Sequence, residues 1–155
     1  MSGRIKSEME KGYCRTPNTS YYNMKGQKIM KITKHFDSSE FACQCGCGTG
    51  DIKFELVTML EDVRVAYDKP MRINSGIRCL AHNRKIGSRD TSSHIKCLAA
   101  DIGCTSMTER LNIMQCIFRV GQMDSGLMRF QRIGLHKDFI HLDIDLDKPK
   151  GIFLY

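Results

Sequence analysis

The run FIHLDID, residues 139–145, alternates strictly in side-chain character. A period of two is that of a β-strand, so Phe139, His141, Asp143 and Asp145 share one face, and Ile140, Leu142 and Ile144 share the other. The aliphatic face requires a core. The opposite face carries a histidine and two aspartates and is expected to look into whatever cleft covers the sheet. A one-residue slip would exchange the two faces, so this segment fixes its own register.

Other elements assemble around that strand. MRFQRIGLH reads as a strand only a few residues earlier, which predicts a hairpin. CLAADIGC reads as a buried strand, and MRINSGIRC as a strand ending in a Ser-Gly turn that presents Arg78. Leu56, Leu60, Val63 and Tyr67 recur at helical spacing, Val57 widens the stripe, and DKP ends it. LAHNRKIG is a helical turn. SMTERLNIMQCIFRVG is a second helix, with a capping box from Ser106 and Glu109 and a glycine stop at Gly121. KITKHFDSSEFACQCGCGTG mixes a short strand with glycine-rich loop. This order predicts an α+β fold, a central antiparallel sheet flanked by helices.

The chain has 155 residues, enough for one domain with a real core and too few for two of ordinary size. Residues 1–33 are polar and rich in turn formers, and are expected to be an N-terminal arm on a domain spanning 34–155. The sequence contains no apolar run long enough to cross a membrane and no apolar segment typical of a signal peptide, so neither insertion nor export is expected. The formal charge of +7 favours polyanionic partners such as nucleic acid, anionic lipid or bacterial cell wall. The basic residues are scattered without a recognisable motif, which argues against nucleic acid.

Three of eight cysteines stand in CQCGCG. Alternate spacing puts Cys43, Cys45 and Cys47 on one side of an extended segment, or lets the glycines fold them around a metal. Zinc-finger pairs separate their thiols by about two to four residues, so a structural ion at these three is not expected. Reduced thiols, or a disulfide to Cys79, are the competing reading.

His141 and Asp101 lie on strands of the same kind, and His94 lies on the loop entering the second of them. Two strand positions and one loop position suit a mononuclear zinc with an open place for water. A hydrogen-bonded histidine and an aspartate capping the following helix would satisfy the same residues without metal.

Three segments then carry a family resemblance. SGIRCLAHN, SSHIKCLAADI and RIGLHKDFIHLDID resemble, in that order, the signature regions of the zinc D-Ala-D-Ala carboxypeptidases and related cell-wall endopeptidases, whose fold is shared with the hedgehog signalling domain. The likeness runs over roughly residues 34–155. It extends to the short phage-encoded members through EFACQCGCG and the ending DKPKGIFLY. The resemblance implies one catalytic zinc held by His94, Asp101 and His141. It implies that Arg78 steadies the scissile carbonyl or oxyanion, that Asp138 is the general base and that Ser92 contacts substrate. Cys97 stands where the family has glycine, Ile77 replaces a common aromatic, and Asp138 is one methylene shorter than the usual glutamate. Asp143 and His136 are the alternative bases.

The implied activity is hydrolysis of a peptide bond in bacterial peptidoglycan by a monomeric phage or prophage lysis enzyme. Such an enzyme would be made in the host cytoplasm without a signal peptide and act at the wall after release. The competing reading is a catalytically inactive zinc-binding or structural module of the same fold.

Overall fold

The computed structural model describes residues 21–22, 28–29, 31–122 and 128–155. Most of the expected 1–33 arm lies outside the described residues. Within it, β1 (Tyr21–Tyr22) and β2 (Lys28–Ile29) pair antiparallel.

The remaining strands are β3 (Ile73–Ser75), β4 (Ala99–Gly103), β5 (Arg132–Leu135), β6 (Phe139–Asp143) and β7 (Gly151–Leu154). They form one sheet in the order β3-β4-β6-β5-β7. The expected hairpin is β5–β6, and β3, β4, β6 and β5 pair antiparallel throughout. The last strand differs, because β7 joins β5 in parallel. The chain turns back after β6, but both sides of β6 are already occupied by β4 and β5. The returning segment therefore takes the free edge of β5, running in the same direction. The fold is α+β with a mixed five-stranded sheet.

Helix α2 (Phe54–Tyr67) buries Leu56, Val57, Met59, Leu60 and Val63, and α4 (Met107–Gly121) buries Ile113 and Ile117. These side chains meet Ile102, Ile133, Ile140 and Leu142 of the sheet in one core. Burying each aliphatic side chain of this size contributes about 1.5–3 kcal/mol, so the helix layer anchors the aliphatic face that FIHLDID requires. Helix α2 ends where Asp68 turns left-handed at φ 54° and donates its N–H to the Arg64 carbonyl.

The start of α4 differs in detail from a capping box. Ser106 Oγ accepts from the Glu109 N–H at 3.1 Å, but the Glu109 carboxylate accepts from the N–H and hydroxyl of Thr105 at 2.6 and 2.8 Å. The reciprocal half has moved back by one residue. Gly121 is the last helical residue rather than a left-handed stop, and an added Cβ would lie 2.9 Å from Met128 Cε. Its small size serves packing.

Two short helices complete the frame. In α1 (Ser38–Phe41), Asp37 and Glu40 form a complete capping box, and Phe41 is fully buried. The local sequence predicts strand and loop here, since one turn is too short to show a period. Helix α3 spans Leu80–Lys85 and starts from Cys79.

Candidate metal centre

The β4–β6 register places Asp101 directly opposite His141. Residues opposite one another in an antiparallel pair project to the same face, so two segments far apart in sequence deliver a carboxylate and an imidazole to one point. His94 arrives from the turn before β4, whose shape is held by the Leu98 N–H on the Ser93 carbonyl at 3.0 Å and the Cys97 N–H on the His94 carbonyl at 3.3 Å. All three residues are buried, at 2–3% exposure. The face expected to look outward is therefore covered by the loop before β4 and by the aromatic residues of the chain's last segment.

The three inner atoms form a near-equilateral triangle. His94 Nε2 lies 3.2 Å from His141 Nδ1 and 3.2 Å from Asp101 Oδ1, and His141 Nδ1 lies 2.9 Å from Asp101 Oδ1. The outer atoms explain why these side chains point inward. His94 Nδ1 is 2.5 Å from the Gly76 carbonyl, and His141 Nε2 is 2.9 Å from Asp143 Oδ2. A carbonyl and an ionised carboxylate can only accept, so each outer nitrogen carries the proton. The inner nitrogens face a carboxylate oxygen that can only accept, so the gap between them calls for a cation, either a proton or a metal ion. Ligand bonds of about 2.0–2.1 Å to zinc fit a triangle of this size.

The electrostatics agree. Burial lowers the His94 pKa, with Arg78 acting in the same direction, and Asp101 only partly opposes them. Burial also works against a charged His141, but Asp101 and Asp143 outweigh it and raise its pKa. Burial would raise Asp101, yet the flanking His94 and His141 hold it well below the ordinary carboxylate range. A metal would take the place that a proton takes between His141 and Asp101.

A second layer of contacts fixes the ligands. Arg78 Nη2 donates to Asp101 Oδ2 at 3.1 Å, and its Nε donates to Ser75 Oγ at 3.1 Å. Asp143 is fully buried and receives Arg132 Nε at 2.8 Å and Nη2 at 2.6 Å. Burial alone would raise its pKa, but His141 and Arg132 bring it below the usual value. Asp143 is thus fully engaged in orienting His141, which leaves it unsuited to take a proton from water. Arg132 also reaches Ser93 Oγ at 3.1 Å, and Ser93 donates to Asp145 Oδ2 at 2.8 Å, tying the His94 turn to the end of β6. The sequence pattern carried the face of Asp143 but not Arg132, because cross-strand partners leave no local period.

The other candidates sit differently. Ser92 is half-buried, and its hydroxyl accepts from the His94 N–H at 3.4 Å. The Asp138 carboxylate is 62% exposed, at 3.8 Å from His136 and 3.7 Å from Lys137, and makes no hydrogen bond to the three inner residues. His136 stacks on Phe139 with ring centres 4.4 Å apart. Cys97 is buried in the core, outside the set of converging ligands. Its φ of 62° is left-handed, a conformation glycine adopts without strain, which accounts physically for glycine at the matching family position.

One wall of the site was missed by sequence reasoning. Phe153 and Tyr155 approach His141 edge-on, with ring centres at 5.8 and 6.3 Å. Gly134, opposite His141 on β5, makes room for them: an added Cβ would lie 2.5 Å from Phe153 Cζ and 2.9 Å from Tyr155 Cε2. The ending GIFLY gave the available signal, an aromatic pair two residues apart.

Residues 34–143 match the family model described as Peptidase M15. No curated protein matches the chain closely enough to count as a relative. The matched span contains His94, Asp101 and His141 together with Arg78, Ser92 and Asp138, and it covers most of the sequence. The chain therefore belongs to the Peptidase M15 family, whose members are metallopeptidases that use zinc.

Proposed function

We propose that this protein is a zinc peptidase that hydrolyses a peptide bond in the stem or cross-link of bacterial peptidoglycan, as a carboxypeptidase or endopeptidase. The observation that carries this reading is the triangle of inner atoms of His94, Asp101 and His141, closed from behind by Gly76, Arg78 and Asp143. Bound there, zinc supplies Lewis acidity that polarises a peptide carbonyl and makes water acidic enough to attack near neutral pH.

The chain's own residues account for the remaining steps. Asp138, exposed at the entry to β6, accepts the proton of the attacking water on its carboxylate and returns it to the leaving amine, a role typically worth about 10² to 10⁴ in rate. Arg78 places positive charge beside the Asp101 ligand, where the developing oxyanion is stabilised. Ser92 lies next to the His94 turn and contacts the peptide. Phe139, Phe153 and Tyr155 give the mouth an apolar side for a small side chain such as alanine. The charge of +7 favours approach to an anionic wall. Within this reading the enzyme is a monomeric phage or prophage lysis protein, made in the host cytoplasm and acting on the wall after release.

The non-enzymatic module has one observation in its favour, the pairing of Asp138 with His136 and Lys137. The two readings separate when purified peptidoglycan is incubated with wild type and Asp138→Ala and the products are identified by mass spectrometry. The peptidase releases D-alanine or shortened cross-links, and the variant loses this release while keeping its zinc. A wild type that binds zinc and releases nothing establishes the module instead.

A further inference from the structure

We propose that Cys43, Cys45, Cys47 and Cys79 form a second metal site, closed and structural, that takes zinc. From spacing alone only Cys43, Cys45 and Cys47 are candidate ligands, and Cys79 is a candidate disulfide partner. In the fold all four sulfurs lie within 4.8 Å of one another. Cys43 Sγ is 3.4 Å from Cys45 Sγ, and Cys45 Sγ is 3.6 Å from Cys79 Sγ. A tetrahedral zinc with bonds of about 2.3 Å to sulfur separates its ligands by roughly 3.8 Å. The cysteines of this set are all free thiols.

The backbone shows how closely spaced thiols converge. In an extended segment, residues two apart stand about 6.6 Å from each other. Here Gly46 and Gly48 adopt left-handed φ of 79° and 78°, and the chain curls. The Gly46 N–H reaches the Cys43 carbonyl at 3.3 Å, and the Cys43 N–H reaches the Thr49 carbonyl at 2.8 Å. The unusual spacing is thus compatible with a tetrahedral set, because the fourth ligand comes from the start of α3.

The surroundings suit thiolates. The Cys79 N–H points at Cys43 Sγ at 3.3 Å, and the His82 N–H points at Cys79 Sγ at 3.4 Å. His82 Nδ1 lies 3.3 Å from Cys43 Sγ. Backbone N–H groups aimed at sulfur stabilise the ionised form, as outer-layer donors do in metal sites.

The position gives the site a purpose. Cys79 follows Arg78 directly, and Cys43 follows the segment where the Phe41 carbonyl accepts from the Ile77 N–H at 2.8 Å. Gly76 packs so tightly there that an added Cβ would lie 2.5 Å from the Phe41 carbonyl oxygen, and its own carbonyl holds His94. Zinc in the thiolate set clamps two loops together next to the residues that orient Arg78 and His94. It is a positioning device, separate from the ligands of the other centre.

The test is elemental analysis of the full chain, purified under reducing conditions without chelator, followed by cobalt(II) substitution. About two zinc ions per chain are expected, one for each ligand set. Cys45→Ser/Cys79→Ser should lose one of them, and His141→Ala the other. Cobalt-loaded His141→Ala should show intense thiolate-to-cobalt charge-transfer absorption. Wild type loaded with cobalt should show the same band, so no variant needs to fold for that result. Cys47→Ser, a change at an exposed position, should release zinc to a chelating dye at least tenfold faster. A wild type with a single zinc that is lost in His141→Ala, and no thiolate band, would overturn the proposal. So would peptide mapping that finds these cysteines joined as disulfides in the reduced preparation. Neither readout depends on hydrolysis, so this site and the peptidase reading fail separately.

Discussion

Two sets of metal-type side chains in this molecule are built in opposite ways. His94, Asp101 and His141 are buried, two of them on paired strands, and each has its outer atom held by a carbonyl, a guanidinium or a carboxylate. Cys43, Cys45, Cys47 and Cys79 lie on a glycine-rich loop and at the start of a short helix, and Cys45 and Cys47 are exposed. The first set owes its geometry to sheet register and a buried polar network. The second has fewer supports and gains the most from a cation. Preorganisation suits a centre that must leave a ligand position open for water and substrate, whereas a closed thiolate set needs only to hold loops together.

The sharpest way to break the comparison is to remove a ligand from the rigid set. His141→Ala should abolish peptidoglycan hydrolysis and the zinc of that set, leaving the thiolate zinc in place, as read by elemental analysis and amino-group release. Next in size is Asp138→Ala, expected to lower turnover by about 10² to 10⁴ with zinc content unchanged, while Asp138→Glu should keep activity. A smaller effect is expected behind the ligands. Asp143→Asn should weaken zinc binding at the His141 set by about 10- to 100-fold in a chelator competition, without touching the thiolate band of the cobalt form. That separation would show that the two sets have independent supports.

How much of this was legible follows from the range of each signal. The alternation in FIHLDID and the stripe of Leu56, Leu60 and Val63 are local, and both elements lie where the periods put them. His94, Asp101 and His141 were found through ordered motifs, and the fold brings the three together. Arg132 beside Asp143, Cys79 beside Cys45 and β7 beside β5 depend on pairings across the fold, which no window of sequence records. The one-turn helix α1 and the shifted half of the Ser106 cap were too short to carry a period. Cys97 is an intermediate case: the glycine expected there marked a left-handed backbone, but the fate of the thiol was decided by the core.

Two weaker tests sharpen the rigid side of the comparison. Asp145 is buried, and although burial would raise its pKa, Lys96 and Ser93 lower it. A folded pKa below the unfolded value means its stabilisation is full above the unfolded pKa of about 3.9 and is lost as pH falls through the lower folded value. Melting temperatures of wild type and Asp145→Asn should therefore converge as the pH drops below about 4. The smallest change is Cys97→Gly, which relieves a left-handed strain of about 1–2 kcal/mol and gives up a small buried side chain of similar worth. Its unfolding midpoint in urea should stay close to wild type, while Cys97→Val should be clearly destabilised.

The most direct test of the zinc peptidase account is zinc restoration. Metal-free wild type and His141→Ala, each given back increasing zinc, would be assayed side by side for new amino groups released from purified peptidoglycan. The account predicts that wild type recovers hydrolysis in step with zinc bound at the His141 set and that the variant recovers none. Hydrolysis by the metal-free protein, or equal recovery in His141→Ala, would contradict it.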